Sequence, residues 1–345
     1  MNDATPSFDP QSDSGSAAGS VAVVSGGVGA ARFLRGLMDV VDHERITAVV
    51  NTGDDTVLHG LDISPDLDTV TYTLAGAIDP ERGWGLVDES WRAMESLERY
   101  ATVRPEGSAA APRWFNLGDQ DLATHFYRTA RRREGASLTE ITAEIARAWG
   151  LRLNIVPMTD DRCSTVVTLA AVDGEAPTDV SFQDYFVRLR HSVAVQAVRF
   201  DGDARLSDTA RRAFTDARTI VIAPSNPIVS IGPMRSLPGV DELLASRRTD
   251  TVAVSPIVGG AALKGPADRM LVELGFEASV VGVARLYADI ASVLVVDTVD
   301  EHLADEVERA GMRCVVAPSI MSTPSLAADL ARITLAAGRT VSDIE

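Results

Sequence analysis

The sequence has few of the features that mark secreted, membrane or redox-active proteins. Only two of its 345 residues are cysteine, Cys163 and Cys314, and neither has the spacing of a metal-ligand motif. No apolar run reaches the roughly 20 residues that a membrane-spanning helix needs. The first twenty residues also lack the basic start and apolar run of a signal peptide. We therefore expect a reduced, cytoplasmic protein with no membrane partner, and both cysteines in or beside strands.

Basic residues are also scarce. The chain has 32 Lys and Arg against 49 Asp and Glu, a net charge of −17, and Lys264 is its only lysine. This charge excludes an ordinary nucleic-acid partner, because phosphate backbones require a basic surface. An acidic protein that binds a phosphorylated small molecule must neutralise it locally, with helix N-termini, a few arginines or a divalent cation.

Short apolar runs alternate with amphipathic stretches, which predicts the fold. Strands are expected at VAVV (21–24) and ITAVVN (46–51), and then in LRLNIVPM, STVVTLAAV, SVAVQAVRF, TIVIAP, TVAVSP, SVVGV, SVLVVD and RCVVAP. Continuously apolar strands joined by helices predict an α/β protein with a Rossmann-like, doubly wound, mostly parallel sheet. We expect a disordered tail at 1–19 and a single domain at 20–340, with a smaller β-containing insertion at about 150–205.

A glycine-rich turn follows the first predicted strand. Gly26, Gly27 and Gly29 stand between Ser25 and a helix expected near Ala30. Glycine permits close backbone approach, and the helix N-terminus offers free N–H groups to an anion, so these residues are candidates for nucleotide binding. The alternative is a plain tight turn. The pattern is not the G-x-G-x-x-G dinucleotide fingerprint, which disfavours a nicotinamide enzyme.

Acidic residues follow the second strand. Asp54 and Asp55 come directly after Asn51, and Asp62, Asp66 and Asp68 precede or open the next helix. So many carboxylates beside a phosphate-type loop predict a Mg²⁺ site, because Mg²⁺ prefers oxygen ligands and is usually shared with phosphate. Asp66 and Asp68 have a structural alternative as helix caps, whereas Asp54 and Asp55 do not.

Two further segments carry candidate residues. In LGDQDLATHFYRTARRR (117–133), His125 and Arg128 lie one turn apart on a predicted helix, and the run Arg131 to Arg133 is typical of a solvated face. In APSNP (223–227), Ser225 and Asn226 follow another strand. An asparagine held there can bind a nucleobase edge, although Asn-Pro also initiates a plain Asx turn.

The strand ends converge. Ser25, Asn51, Ala223 and Ser255 each end a predicted strand and begin a loop rich in Gly, Ser, Asn or Asp. In an open parallel sheet such ends share one edge, where ligands bind. The sequence therefore predicts a ligand site at that edge.

The motifs SGGVGAARFL, NTGDD, ISPDLDTVTYTLAG, LGDQDLATH, MTDDRCSTVV, FQDYFV, APSNPIVSIGP and SPIVGGAALKGPA together resemble the 2-phospho-L-lactate transferase family of coenzyme F420 biosynthesis. Its actinobacterial members act as phosphoenolpyruvate transferases. The resemblance runs from about Val21 to beyond Met321. It implies a cytoplasmic homodimer that binds Mg²⁺ and moves a phosphoenolpyruvyl or 2-phospho-L-lactyl group from a guanylated donor to the ribityl hydroxyl of the deazaflavin Fo, with release of GMP.

The resemblance also implies roles for particular residues. Asp54 matches the metal-site acid, with Asp55 beside it, and Asp54 and Asp68 are the expected catalytic residues. Asp66, Asp68 and Asn116 are expected to bind Fo; Asn116 stands at a position that is lysine in some relatives. Gly26, Gly27, Gly29, Ser225 and Asn226 are expected on the nucleotide side. The sequence leaves open whether an acid such as Asp68 accepts the proton of the Fo hydroxyl or only binds Fo.

The main rival is a non-catalytic regulator of the same superfamily that binds a sugar nucleotide. Such a regulator would share the glycine loop but would not bind Fo. The sequence also leaves open whether the donor derives from phosphoenolpyruvate, lactate or glycerate.

Overall fold

The structure, a computed structural model, describes residues 19–106, 108, 110, 114–171 and 176–338. The predicted disordered tail at 1–19 lies outside this part of the chain except for Gly19.

Strands and helices alternate along most of the described chain. The strands are β1 (Val21–Ser25), β2 (Ile46–Val50), β3 (Thr56–Leu58), β4 (Leu61–Ile63), β5 (Asn154–Pro157), β6 (Ser164–Leu169), β7 (Thr178–Ser181), β8 (Val195–Asp201), β9 (Thr219–Ile222), β10 (Thr251–Val254), β11 (Ile257–Val258), β12 (Ala261–Ala262), β13 (Val293–Val296) and β14 (Arg313–Val316). The helices are α1 (Val28–Met38), α2 (Pro65–Leu74), α3 (Arg92–Ala101), α4 (Asp119–Arg133), α5 (Leu138–Ala148), α6 (Asp208–Asp216), α7 (Gly232–Arg235), α8 (Val240–Ser246), α9 (Ala267–Glu273), α10 (Val280–Tyr287), α11 (Ala304–Arg309) and α12 (Pro324–Ala337).

Seven strands form one parallel sheet in the order β14-β13-β10-β9-β1-β2-β5. From β1 the chain builds outward through β2 to β5, and it then returns to build the other half from β9 to β14. The strand order therefore reverses between β1 and β9, the position at which doubly wound sheets open a crevice for ligands. The predicted α/β fold class is confirmed.

Helices cover both faces of this sheet. Val21 and Val23 of β1 pack in one apolar cluster with α1 and α12, whereas Ala22 and Val24 pack in a second cluster with α8 and α10. Successive strand side chains point to opposite faces, so a strand buried on both sides is apolar at every position. This burial explains the uninterrupted apolar runs and fixes the loops at the carboxyl edge.

The predicted insertion range contains one strand of the main sheet. β5 pairs with β2, while β6, β7 and β8 form a separate antiparallel sheet with β6 in the middle. That small sheet is tied to the acidic loop after β2: Thr165 N–H donates to the Gly53 carbonyl at 2.7 Å, and Gln183 Nε2 donates to the Asp54 carbonyl at 3.4 Å. The small sheet thus helps to position Asp54.

One predicted strand is wrong. The segment SVVGV begins the helix α10, and Ser279 caps it by accepting hydrogen bonds from the N–H groups of Val281 and Gly282. A short apolar run does not distinguish a strand from a buried helix, and the cap decides the outcome here.

The cysteines lie where the sequence predicted, although both are only half-buried. Cys163 directly precedes β6, Cys314 lies in β14, and both are free. Among the described residues, no helix is long and apolar enough to cross a bilayer.

Candidate active site

The ends of β10, β9, β1 and β2 lie side by side at the carboxyl edge, because these four strands are parallel neighbours. The predicted convergence of Ser25, Asn51, Ala223 and Ser255 follows from this order.

The glycine turn after β1 touches the loop after β9. Gly26 N–H donates to Ser225 Oγ at 3.2 Å. A Cβ on Gly29 would overlap the Pro224 carbonyl, so only glycine allows this approach. The structure thereby brings Gly26, Gly27, Gly29 and Ser225 together at the point where the strand order reverses.

Asn226 has the structural role that the sequence left as an alternative. Its Oδ1 accepts the N–H groups of Ile228 at 2.9 Å and Val229 at 3.4 Å, which is an Asx turn. Its Nδ2 lies 3.8 Å from Met270 Sδ. Asn226 therefore shapes the loop after β9, and its nucleotide contact stays a prediction.

Asn51 links the acidic residues to the glycine turn. Its Nδ2 donates to Asp66 Oδ2 at 3.0 Å and lies 3.3 Å from Asp54 Oδ2, and its Oδ1 accepts Gly53 N–H at 2.9 Å. On the other side of Asp66, an ideal Cβ on Gly27 would lie 2.5 Å from Oδ1. Asn51 and Asp66 thus connect Asp54, in the loop after β2, to the glycine turn.

The buried charges of these carboxylates have too few hydrogen-bond donors and positive groups around them. Burial, followed by the charge of Asp66, raises the pKa of Asp54 well above its usual value. Burial raises the pKa of Asp55 to about 8 despite the 2.6 Å hydrogen bond from Ser64 Oγ, and raises that of Asp66 to about 6. Asp54 Oδ1 and Asp55 Oδ1 are buried without a hydrogen-bond partner among the described residues. Carboxylate oxygens left in this state fit a divalent cation.

We expect the Mg²⁺-free protein to lose stability as the pH rises from about 4 to about 8. The native pKa values of Asp55 and Asp66 lie above the ordinary value of 3.8, so over this range the native state holds protons that the unfolded chain releases. The free energy of unfolding then falls with rising pH. Urea unfolding across this range measures the slope. Asp55→Asn should flatten the part of this slope at the higher pH values. A wild-type free energy of unfolding that stays constant or rises with pH would contradict the raised pKa values of Asp55 and Asp66.

Asp68 lies in a different environment from Asp66, although both open α2. It forms a buried ion pair with Arg128 of α4: Nη2 bonds to Oδ1, and Nη1 donates to Oδ2 at 3.2 Å. Neither acid caps the helix, because Asp66 bonds to Asn51 and Asp68 to Arg128. Asp68 is therefore held rigidly beside the acidic loop.

A network behind this pair was not predicted from the sequence. His125 Nδ1 lies 3.1 Å from Arg128 Nη1, and His125 Nε2 lies 3.3 Å from Asp121 Oδ1, which also accepts the Tyr72 hydroxyl at 2.8 Å. The spacing of Asp121, His125 and Arg128 at positions i, i+4 and i+7 was the available signal. Asp68, Asp121 and His125 lie close enough to share a metal ion, but the Arg128 guanidinium already supplies the cation beside Asp68.

Asn116 is exposed, in the stretch that leads into α4, and its side chain makes no hydrogen bond within the described residues. The end of this stretch is fixed. Asp119 accepts Ser90 N–H at 2.7 Å and Ser90 Oγ at 3.0 Å, and the Glu89 carboxylate packs so closely on Gly118 that a Cβ there would overlap it. The predicted Fo contact of Asn116 stays a prediction.

Known proteins that are similar to this chain identify its family. Residues 21–322 match the family model described as 2-phospho-L-lactate transferase CofD. The phosphoenolpyruvate transferase of Kitasatospora aureofaciens is 40% identical over 92% of this chain and 97% of its own. That of Streptomyces griseus is 41% identical over 91% and 97%, and that of Mycobacterium tuberculosis 38% identical over 90% and 96%.

A solved structure supports the fold alone. A member of the UPF0052 family from Bacillus halodurans matches with a TM-score of 0.56 at 15% identity, over 92% of this chain and 98% of its own.

The chain belongs to the 2-phospho-L-lactate transferase CofD family. This membership confirms the predicted class, a transferase of coenzyme F420 biosynthesis.

Proposed function

We propose that the protein transfers a phosphoenolpyruvyl or 2-phospho-L-lactyl group from a guanylated donor to the ribityl hydroxyl of Fo. The hydroxyl oxygen attacks the β-phosphorus of the donor, the bond from that phosphorus to the bridging oxygen breaks, GMP leaves, and one proton is released. The names of the relatives support the group that is moved. The acceptor and the leaving GMP rest on the family resemblance.

The observation that carries the proposal is the position of the unpartnered carboxylate oxygens. Asp54 is linked through Asn51 and Asp66 to the glycine turn at the reversal of strand order, where a diphosphate would meet the first turn of α1, and Asp55 is the next residue along the chain. We assign Mg²⁺ to these two residues. A bound Mg²⁺ would neutralise the diphosphate in a protein of net charge −17.

The remaining residues bind and orient the donor and Fo. Gly26, Gly27 and Ser225 form the corner for the diphosphate, and Asn226 keeps the loop after β9 in shape. Both oxygens of Asp68 already bond to Arg128, but each keeps a lone pair that can accept the Fo hydroxyl. Transfer of this type depends on positioning and charge neutralisation more than on a covalent nucleophile.

The proposal also includes a cytoplasmic homodimer, which rests on the family resemblance.

The test is an incubation of the purified protein with Fo, Mg²⁺ and each guanylated donor in turn. We expect GMP and a phosphoester of Fo to form in equal amounts with at least one donor, as followed by chromatography and mass spectrometry. Chelation of Mg²⁺ by EDTA should stop both products. If no donor yields GMP and Fo does not bind, the proposal fails and the non-catalytic regulator takes its place.

A further inference from the structure

A small cleft opens beside the acidic residues. Ser64 and three carboxylates line it (Asp55, Asp62 and Asp161), and so do three arginines: Arg128, Arg132 and Arg162. Two of these guanidinium groups have carboxylate partners. Arg128 pairs with Asp68, and Arg162 Nη2 lies 2.7 Å from Asp62 Oδ1.

Arg132 differs from its neighbours in the run Arg131 to Arg133, which the sequence analysis assigned to a solvated face. Arg131 bonds to Glu134 and Glu144, and exposed Arg133 reaches the Gly60 carbonyl at 3.4 Å. Arg132 is half-buried, lines the cleft, and makes no side-chain hydrogen bond or ion pair within the described residues. The positive charge of Arg132 is therefore free for a ligand.

The cleft continues a line of contacts that begins at the glycine turn. Gly27 lies against Asp66, Asn51 joins Asp66 to Asp54, and Asp55, the next residue, lines the cleft. A guanylated donor is also linear: its nucleoside is followed by a diphosphate and then by the transferred group, which carries a carboxylate. With its diphosphate at the glycine turn and acids, the donor would place its carboxylate toward the cleft.

We propose that Arg132, together with Arg162 in the same cleft, binds the carboxylate of the donor and so restricts the enzyme to donors that carry one. This inference rests on the proposed function. Guanidinium binds carboxylate through two parallel N–H bonds, and partial burial strengthens the contact. Donors derived from phosphoenolpyruvate, lactate and glycerate all have this carboxylate, so the arginines select the class of donor and leave the choice within it to other contacts.

The test is calorimetric binding with Mg²⁺ and without Fo, so that no turnover occurs. The probes are guanylated 2-phospho-L-lactate, GDP, and the β-ethyl ester of GDP, which lacks the carboxylate. We expect Arg132→Gln to weaken binding of the lactyl compound by about 10- to 100-fold, since a hydrogen bond to a charged group is lost. Binding of GDP and of the ethyl ester should not change. Arg162→Gln should act in the same direction.

Arg133→Gln is the matched control, one position along the same helix, and should leave all three affinities unchanged. Two results would overturn the carboxylate assignment while the proposed function stands. One is that Arg132→Gln weakens the binding of GDP as much as that of the lactyl compound. The other is that the wild type binds the lactyl compound no better than the ethyl ester. If the wild type binds neither the lactyl compound nor GDP, both proposals fail. In a separate steady-state assay of Arg132→Gln, a rise in the KM for Fo alone would assign the cleft to the acceptor and also overturn the inference.

Discussion

Asp54→Asn is expected to lower kcat by about 100- to 1,000-fold at saturating Fo and donor, because it removes a carboxylate that would hold Mg²⁺ beside the diphosphate. It should not harm the fold. Burial already raises the pKa of Asp54 far above its usual value, so the charged form destabilises the Mg²⁺-free native state near neutral pH. The melting temperature of the Mg²⁺-free variant should therefore equal or exceed that of the wild type. The rise in melting temperature that Mg²⁺ produces in the wild type should be reduced or lost.

Asp297→Asn provides a control with the opposite pattern. Asp297 is equally buried, but it accepts hydrogen bonds from Ser319 N–H at 2.8 Å and Ser319 Oγ at 3.0 Å, at the end of β13. Its replacement should lower the melting temperature and leave kcat unchanged in the folded fraction. Steady-state kinetics and thermal melts with and without Mg²⁺ separate the two variants. Wild-type kcat for Asp54→Asn at saturating Mg²⁺ would remove Asp54 from the site.

Arg128→Met is expected to destabilise the protein by about 3–5 kcal/mol, the largest stability effect that we predict. The side chains of Arg128 and Asp68 are 2% and 8% exposed, so the substitution leaves an unpaired carboxylate in a nearly dry environment. The double variant Arg128→Met with Asp68→Asn should recover part of the loss, because the uncompensated charge is then absent. Urea unfolding of the wild type, both single variants and the double variant measures the coupling between the two residues.

Arg131→Met is the matched comparison on the same helix. Its ion pair with Glu144 joins side chains that are 31% and 23% exposed, and such pairs contribute about 0–1 kcal/mol. A loss of less than about 1 kcal/mol for Arg128→Met would equal that of a surface pair. It would show that water reaches Asp68 in solution.

Local patterns were sufficient to predict the sheet and the loops at its carboxyl edge. Strands buried on both faces must be apolar throughout, and the loops that follow them were visible as Gly, Ser, Asn and Asp clusters. The capping box of Ser137 and Glu140 is a feature of the same local kind, because both of its hydrogen bonds form within one helical turn. Features set by neighbours in sequence were therefore readable from the chain.

Features set by residues far apart in the sequence could not be predicted from it. The ion pair of Asp68 and Arg128 joins α2 to α4, and nothing near either residue marks the other as its partner. The run Arg131 to Arg133 looks uniform in the sequence, yet the helix turns each guanidinium in a different direction and gives each a different environment. The predicted strand SVVGV failed because a single cap, Ser279, outweighs apolar character in so short a segment.

The contact between Glu89 and Gly118 constrains how this sequence can evolve. The Glu89 carboxylate occupies the space that any Cβ at position 118 would need, so a lineage cannot replace Gly118 while Glu89 keeps its length and position. Shortening residue 89 first would open the space, whereas the reverse order forces the Glu89 side chain to move and disturbs its ion pair with Arg82, in which Nη2 and Oε1 lie 2.9 Å apart. The two positions are thus coupled, and the accessible mutational path through them has a direction.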